Sequence, residues 1–222
     1  MKLARLVAAI GIAGMLGGMG QAQANLAEGF DGAIPPPGWT IINNSSPIGI
    51  TDWFQGNTGV FNAQAGAADS YIAANFLAAA DGGNIRDWLL TPTISMNNGG
   101  EFSFWTRTET GSAFGDQLAV FICLITQTQN CTTTAGFTIP LISLFTVSDS
   151  WTEESAIFSG LTGTAGRIGF LYRVNDTSVN GNYIGIDTVQ VADVPVPEPS
   201  TLAVFALGLA MLGWHLRRGV TK

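Results

Sequence analysis

The residues available for chemistry are few. The chain has a single histidine, His215, two cysteines and sixteen carboxylates. His215 sits in an apolar C-terminal run beside Arg217 and Arg218 and reads as interfacial. Without another histidine, neither Ser-His-Asp nor Cys-His nucleophilic sites can form, and neither can a His-ligated zinc. No G-x-S-x-G, G-x-G-x-x-G or P-loop pattern occurs. A glycosidase needs only two carboxylates. The best pair by position, Glu153 and Glu154, is adjacent, so on a strand the two point to opposite faces. No spacing ties Glu101 to Glu109, and no catalytic residue is assigned. Cys123 and Cys131 have no further Cys or His nearby to complete a metal site, so pairing across the polar excursion 124–130 is favoured over metal binding. Among the tryptophans, packing is the stronger reading. Trp105 is the candidate for an outward, ligand-stacking ring, because it shares phase with Ser103 and Arg107, opposite Phe102 and Phe104.

The elements that must position these residues are strands. No sustained 3.6-residue apolar period appears between the two ends of the chain. Short alternating or fully apolar runs recur between Gly, Asn, Asp, Ser and Thr clusters, which predicts an all-β sandwich. Strands are expected at 39–42, 52–57, 60–63, 70–76, 87–92, 101–108, 117–125, 137–147, 151–158, 166–174 and 183–191. Residues 117–125 are apolar on both faces and predict an interior strand. The alanines after Phe76 suggest one helical turn that Asp81-Gly82-Gly83 ends. In the last strand Ile184 and Ile186 hold one phase and Val189 and Val191 the other. One extra residue reverses a period of two, so a bulge is expected at Asp187-Thr188, beside a site or as a plain bend at a sheet edge.

Both ends read as export signals. Lys2 and Arg5, the apolar run 6–19 and Ala22-Gln23-Ala24 predict a signal peptide over 1–24. At the other end, residues 194–222 comprise a proline hinge, an uncharged run from Leu202 to Leu216, and Arg217, Arg218 and Lys222. We read that run as a C-terminal single transmembrane helix with its arginines inside. Its 15 residues give about 22 Å of helix against a hydrocarbon core of about 30 Å, so spanning requires Ser200, Thr201 and snorkelling arginines at its ends. Such a segment suits brief tethering at the inner membrane during processing. From residue 25 to about 200, four arginines face all sixteen acids, a net −12 without lysine. Such a surface repels phosphate backbones, so nucleic acid is excluded as a partner.

Two resemblances follow. Pro197-Glu198-Pro199, the apolar run and Arg217-Arg218 resemble the PEP-CTERM sorting signal. That resemblance implies an exosortase-type sorting enzyme as partner, cleavage near Pro-Glu-Pro, and delivery to the cell surface or extracellular matrix. Glu28-Gly29-Phe30-Asp31, Pro37-Gly38-Trp39-Thr40, Trp53–Asn57, Asp69–Ile72, Asp87–Pro92, Phe104–Thr108 and Tyr183–Asp187 resemble, in that order, the choice-of-anchor J domain across 25–193. That domain is similar to cleaved-adhesin and MAM-type jelly rolls. The resemblance implies a jelly-roll-like β-sandwich and a structural Ca2+ joining the first and last strands, with Glu28, Asp31 and Asp187 as ligands. It also implies a non-enzymatic module associated with exopolysaccharide or biofilm matrix. The competing reading is a carbohydrate-active enzyme or carbohydrate-binding module on the same scaffold.

Overall fold

The structure is a computed structural model that describes residues 24–96, 99–159, 161 and 165–192. In chain order its strands are β1 Ala24–Glu28, β2 Thr40–Asn43, β3 Ser46–Ile48, β4 Phe54–Gln55, β5 Ile72–Asn75, β6 Ala79–Leu90 and β7 Ile94–Ser95. They continue as β8 Gly100–Thr108, β9 Gln117–Leu124, β10 Ile139–Thr146, β11 Thr152–Phe158, β12 Ala165–Val174 and β13 Tyr183–Ala192. One sheet has the order β11-β8-β13-β5-β4, with β1 also on β13; the other has the order β10-β9-β12-β6-β2, with β3 on β6 and β7 on β12. Every pairing is antiparallel, and the two sheets form a jelly-roll-like β-sandwich.

Alternation decides what each strand buries. On β8, Phe102, Phe104 and Thr106 point inward, leaving Glu101, Ser103, Trp105 and Arg107 outside. On β12, Ile168, Phe170, Tyr172 and Val174 enter the same core. Phe170 joins the sheets, with ring centroids 5.0 Å from Phe104, 5.7 Å from Phe102 and 6.5 Å from Trp39. Strand β9, apolar on both faces, lies inside its sheet as expected. Each sheet also carries a smaller apolar cluster on its outer face, because a loop folds over it. Residues 56–70 bring Phe61 onto Tyr71 and Tyr183 over the first sheet. Residues 125–138, closed by the Cys123–Cys131 disulfide, bring Phe137 onto Trp88 over the second.

Several expectations are corrected. Residues 60–63 form loop rather than strand, because Phe61 is a lid over rings and pairs with no neighbour. The turn after Phe76 is a single 3-10 turn, Phe76–Ala78, but Asp81-Gly82-Gly83 does not stop the chain. Gly82 takes φ +72°, and β6 continues through an irregularity opposite β3. The C-terminal transmembrane helix and the inner-membrane tether that it implied are also corrected. Among the described residues no helix is long and apolar enough to cross a membrane. The run from Leu202 to Leu216 lies outside them, and at 15 residues it is shorter than a hydrocarbon core requires. The expected signal peptide likewise falls outside the described residues, except Ala24.

One core group stands out. Asp87 shares the inward phase of Ile85 and Leu89, opposite Tyr172 on β12, and is fully buried. Neither of its carboxylate oxygens has a hydrogen-bond partner, and neither does the nearby core's Trp53 Nε1. Burial, reinforced by the charge of Asp52, pushes the Asp87 carboxyl up to about 8, against about 3.9 in an unfolded chain. Between these values only the folded state holds the proton, so this group's contribution to stability is complete at low pH and is lost as pH rises towards 8. Melting temperature is therefore expected to fall between pH 5 and 8, and Asp87→Asn to flatten that fall in a pH series of thermal melts. Equal slopes in the two proteins would exclude Asp87 as the source.

Candidate functional site

Strand β13 organises the site. β8 pairs along one side of it, while β5 pairs with 183–186 and β1 with 189–192 on the other. The bulge lies where those two partners meet: register shifts between Asp187 and Gln190, and Thr188 takes φ +49°. Asp187, fully buried, accepts from the backbone N–H groups of Gln64 (2.8 Å), Ala65 (3.1 Å) and Thr188 (2.6 Å). Burial still raises its carboxyl above the ordinary range, against the pull of those donors. The carboxylate thus closes the 56–70 loop over the sheet.

That loop fixes one side of a cleft. The Asn57 N–H reaches the Tyr71 and Tyr183 hydroxyls at 2.9 and 3.0 Å, and Tyr71 Oη lies 2.9 Å from the Asn57 carbonyl oxygen. The other side is fixed from the core. Asp116 is fully buried, and its Oδ1 accepts from Tyr172 Oη at 2.6 Å and from the Asn182 N–H at 2.9 Å. Its Oδ2 lies 2.9 Å from Thr108 Oγ1. Burial raises the Asp116 carboxyl despite these donors. Between the two sides opens a cleft of about 260 Å3 lined by Phe54, Phe76, Tyr183, Asn57, Asn182 and Glu109, with Val60 and Asn75 completing it. Phe76 is 44% exposed. Glu109 Oε2 accepts from Asn182 Nδ2 at 2.6 Å.

The residues expected to hold calcium do not assemble as a carboxylate cluster. Among the described residues there is no group of three or more His, Cys, Asp or Glu suited to a metal ion. Glu28 Oε1 accepts from the Phe30 N–H at 2.7 Å, Asp187 is engaged by backbone donors, and Asp31 is exposed beside Gly66. Close by, however, carbonyl oxygens converge. Gln55 Nε2 contacts the carbonyl oxygens of Phe30 (3.3 Å), Tyr71 (3.5 Å) and Asp69.

Trp105 is on the outer face as expected, half-buried between Glu153 and Asp187, but it does not line the cleft. Glu153 and Glu154 alternate along β11. The sulfurs of Cys123 and Cys131 are bonded, as the spacing indicated. Pro197, Glu198, Pro199, Arg217 and Arg218 lie outside the described residues.

Residues 195–218 match the PEP-CTERM protein-sorting motif. The tail therefore marks the chain for export through an exosortase-type pathway, and the sorting enzyme is its partner there. No curated protein matches the sequence. Among solved structures, the K1 cleaved adhesin domain of Lys-gingipain from Porphyromonas gingivalis W83 is similar, with 20% identity and a TM-score of 0.58 over 75% of this chain and 96% of that one. The K3 cleaved adhesin domain of the same protein gives 18% identity and 0.58 over 77% and 98%. At that identity the likeness establishes the jelly-roll-like fold and nothing about ligands. The motif and the fold hold at this level; they do not single out a choice-of-anchor J domain.

The cleft residues come from four separated segments, 54–60, 75–76, 109 and 182–183, and no sequence spacing announced them. Phe76 gave the one available signal, an aromatic placed directly at a turn. Asp187→Ala leaves three backbone donors without their acceptor, each a cost of about 1 kcal/mol or more. We expect a loss of about 3 kcal/mol in denaturant unfolding, with faster amide exchange concentrated in 56–70. Unchanged exchange in that loop would show that the carboxylate does not hold it.

Proposed function

We propose that this exported, sorted β-sandwich is a polysaccharide-binding module of the cell surface or extracellular matrix, acting without catalysis. The observation that carries the reading is the cleft. Three aromatic rings, Phe54, Phe76 and Tyr183, share one opening with the amides of Asn57 and Asn182 and the Glu109 carboxylate. Sugars present apolar C–H faces and hydroxyl edges, so rings take the faces, while amides and a carboxylate take the hydroxyls. The lining favours binding over hydrolysis, since Glu109 is the one carboxylate among the described lining residues and a glycosidase needs two. An adhesive contact with matrix polymer is the physiological use that fits export by a sorting signal. We place the domain with choice-of-anchor J domains on the ordered motifs given above.

The test is a glycan array with the full-length protein, followed by calorimetry on the best ligand. Phe76→Ala and Glu109→Gln should each weaken binding about tenfold, while melting temperature stays within a few degrees. Retained affinity in both variants moves the ligand away from this cleft.

We also propose calcium at the junction of the first strand and the 56–71 loop. The support is the convergence of the Phe30, Asp69 and Tyr71 carbonyl oxygens around the Gln55 amide. Calcium takes six to eight oxygen ligands, with carbonyls common among them. Turning the Gln55 amide would add its Oε1, and Asp31 directly follows Phe30 in the chain. A ligand that binds only the folded state raises its stability, so calcium should raise the melting temperature by several degrees and chelator should reverse it. No titration heat and no shift in melting would remove the ion.

A further inference from the structure

The described residues contain four arginines, and their employment is uneven. Arg167 is buried and donates to the carbonyl oxygens of Thr91, Cys131, Gly38 and Leu90 and to Thr40 Oγ1. Arg107 donates to the carbonyl oxygens of Thr108 and Asp149 and to Thr110 Oγ1, with its guanidinium 4.4 Å over the Phe61 ring. Both are structural. Arg86 is partly engaged: one terminal nitrogen donates to the Ile85 and Val174 carbonyl oxygens, the other to Asn175 Oδ1. Arg173 makes no hydrogen bond or ion pair among the described residues, and its Nε is buried without a partner.

Arg173 and Arg86 are directly opposite each other on β12 and β6. Both are half-buried and share the outer face with Leu171 and Trp88. Like charges at directly paired positions repel, and the nearness of Arg173, after burial, lowers the Arg86 pKa. The row continues to Gln117, which pairs with Arg173, and to Asn44, whose N–H donates to the Arg86 carbonyl oxygen. It holds guanidinium and amide side chains and no carboxylate, on a chain whose exported part is strongly acidic. Asp87, although next to Arg86, points to the other side of the sheet.

We propose that the Arg86–Arg173 row is an oxyanion-binding site for a single acidic substituent, carboxylate or sulfate ester, carried on an otherwise neutral polysaccharide. Guanidinium forks match such groups with paired, charge-assisted hydrogen bonds. A bound oxyanion relieves the repulsion between the two arginines and supplies acceptors to the terminal nitrogens of Arg173, which, unlike its buried Nε, reach the surface. The surrounding negative charge repels a dense polyanion at long range and leaves a sparse one tolerated, since fields are screened beyond about 8 Å at physiological salt. The site is on the sheet opposite the Phe76 cleft. Only the nature of the carrier rests on the polysaccharide reading; capture of the oxyanion does not.

The experiment uses the full-length protein with dextran, and with carboxymethyl-dextran and sulfated dextran of equal low substitution. Retention on one substituted polymer but not on dextran is expected, weakening as salt rises, and the polymer retained identifies the group. Arg173→Gln and Arg86→Gln should each reduce that retention at least tenfold, and Arg173→Lys should restore part of it. Thermal melts should show Arg173→Gln no less stable than the parent, since a repulsion has been removed and no hydrogen bond lost. Arg86→Gln also gives up its bonds to Ile85, Val174 and Asn175, so its retention is read well below its own melting temperature. Phe76→Ala should leave retention on the substituted polymer intact, which separates failure here from failure of the cleft. Equal retention by the parent and both Gln variants, or no retention of either substituted polymer, overturns the proposal.

Discussion

The constraint on which the rest depends is that β13 must serve two partners on one side. β5 and β1 meet end to end along it, on 183–186 and 189–192, and Asp187 and Thr188 fall in the gap between them. The break is absorbed at Asp187 and Thr188, where one residue turns to positive φ and the side-chain phase reverses. The Asp187 carboxylate then accepts from the N–H groups of Gln64 and Ala65 and ties the 56–70 loop to the strand. With that anchor at one end and the Tyr71 and Tyr183 hydroxyls on Asn57 at the other, Phe61 packs on Tyr71 and Tyr183, and Asn57 is held at the cleft.

Three buried aspartates show how differently one side chain can be used. Asp187 ties a loop to a strand. Asp116 links the core hydroxyl of Tyr172 to the backbone of Asn182, so that the rim of the cleft is held from inside the sandwich. Asp87 has at most a weak pull from the Trp88 N–H against its burial, and it keeps its proton instead. In each case burial favours the neutral form; what differs is how many N–H and O–H groups oppose it.

The arginines repeat that contrast with opposite sign. Arg167 saturates its fork with carbonyls and Arg107 lies over aromatic rings, while Arg173 faces a second arginine. On an acidic exported surface, cations placed beside each other rather than beside acids are a local exception to the prevailing field. The outer face of the second sheet is therefore chemically distinct from the aromatic cleft of the first.

Much of the architecture was legible in the sequence, because alternation is a local property. The phases of 101–108 and 166–174 gave their inward faces directly, the phase change near Asp187 gave the bulge, and isolated cysteines eight residues apart gave the disulfide. The sorting motif was likewise written in contiguous residues, 195–218. The strand expected at 60–63 and the stop expected at 81–83 failed where distant partners overrode local preference: a ring lid in one case, a glycine-permitted kink in the other. Contiguous pattern alone determined the fold class, the export signal and the absence of histidine chemistry. Only the tertiary structure decided the cleft, the carbonyl convergence at Gln55 and the pairing of Arg86 with Arg173. Each brings together segments far apart in the chain, and strand order and register, which set those meetings, leave no mark on any single stretch of residues.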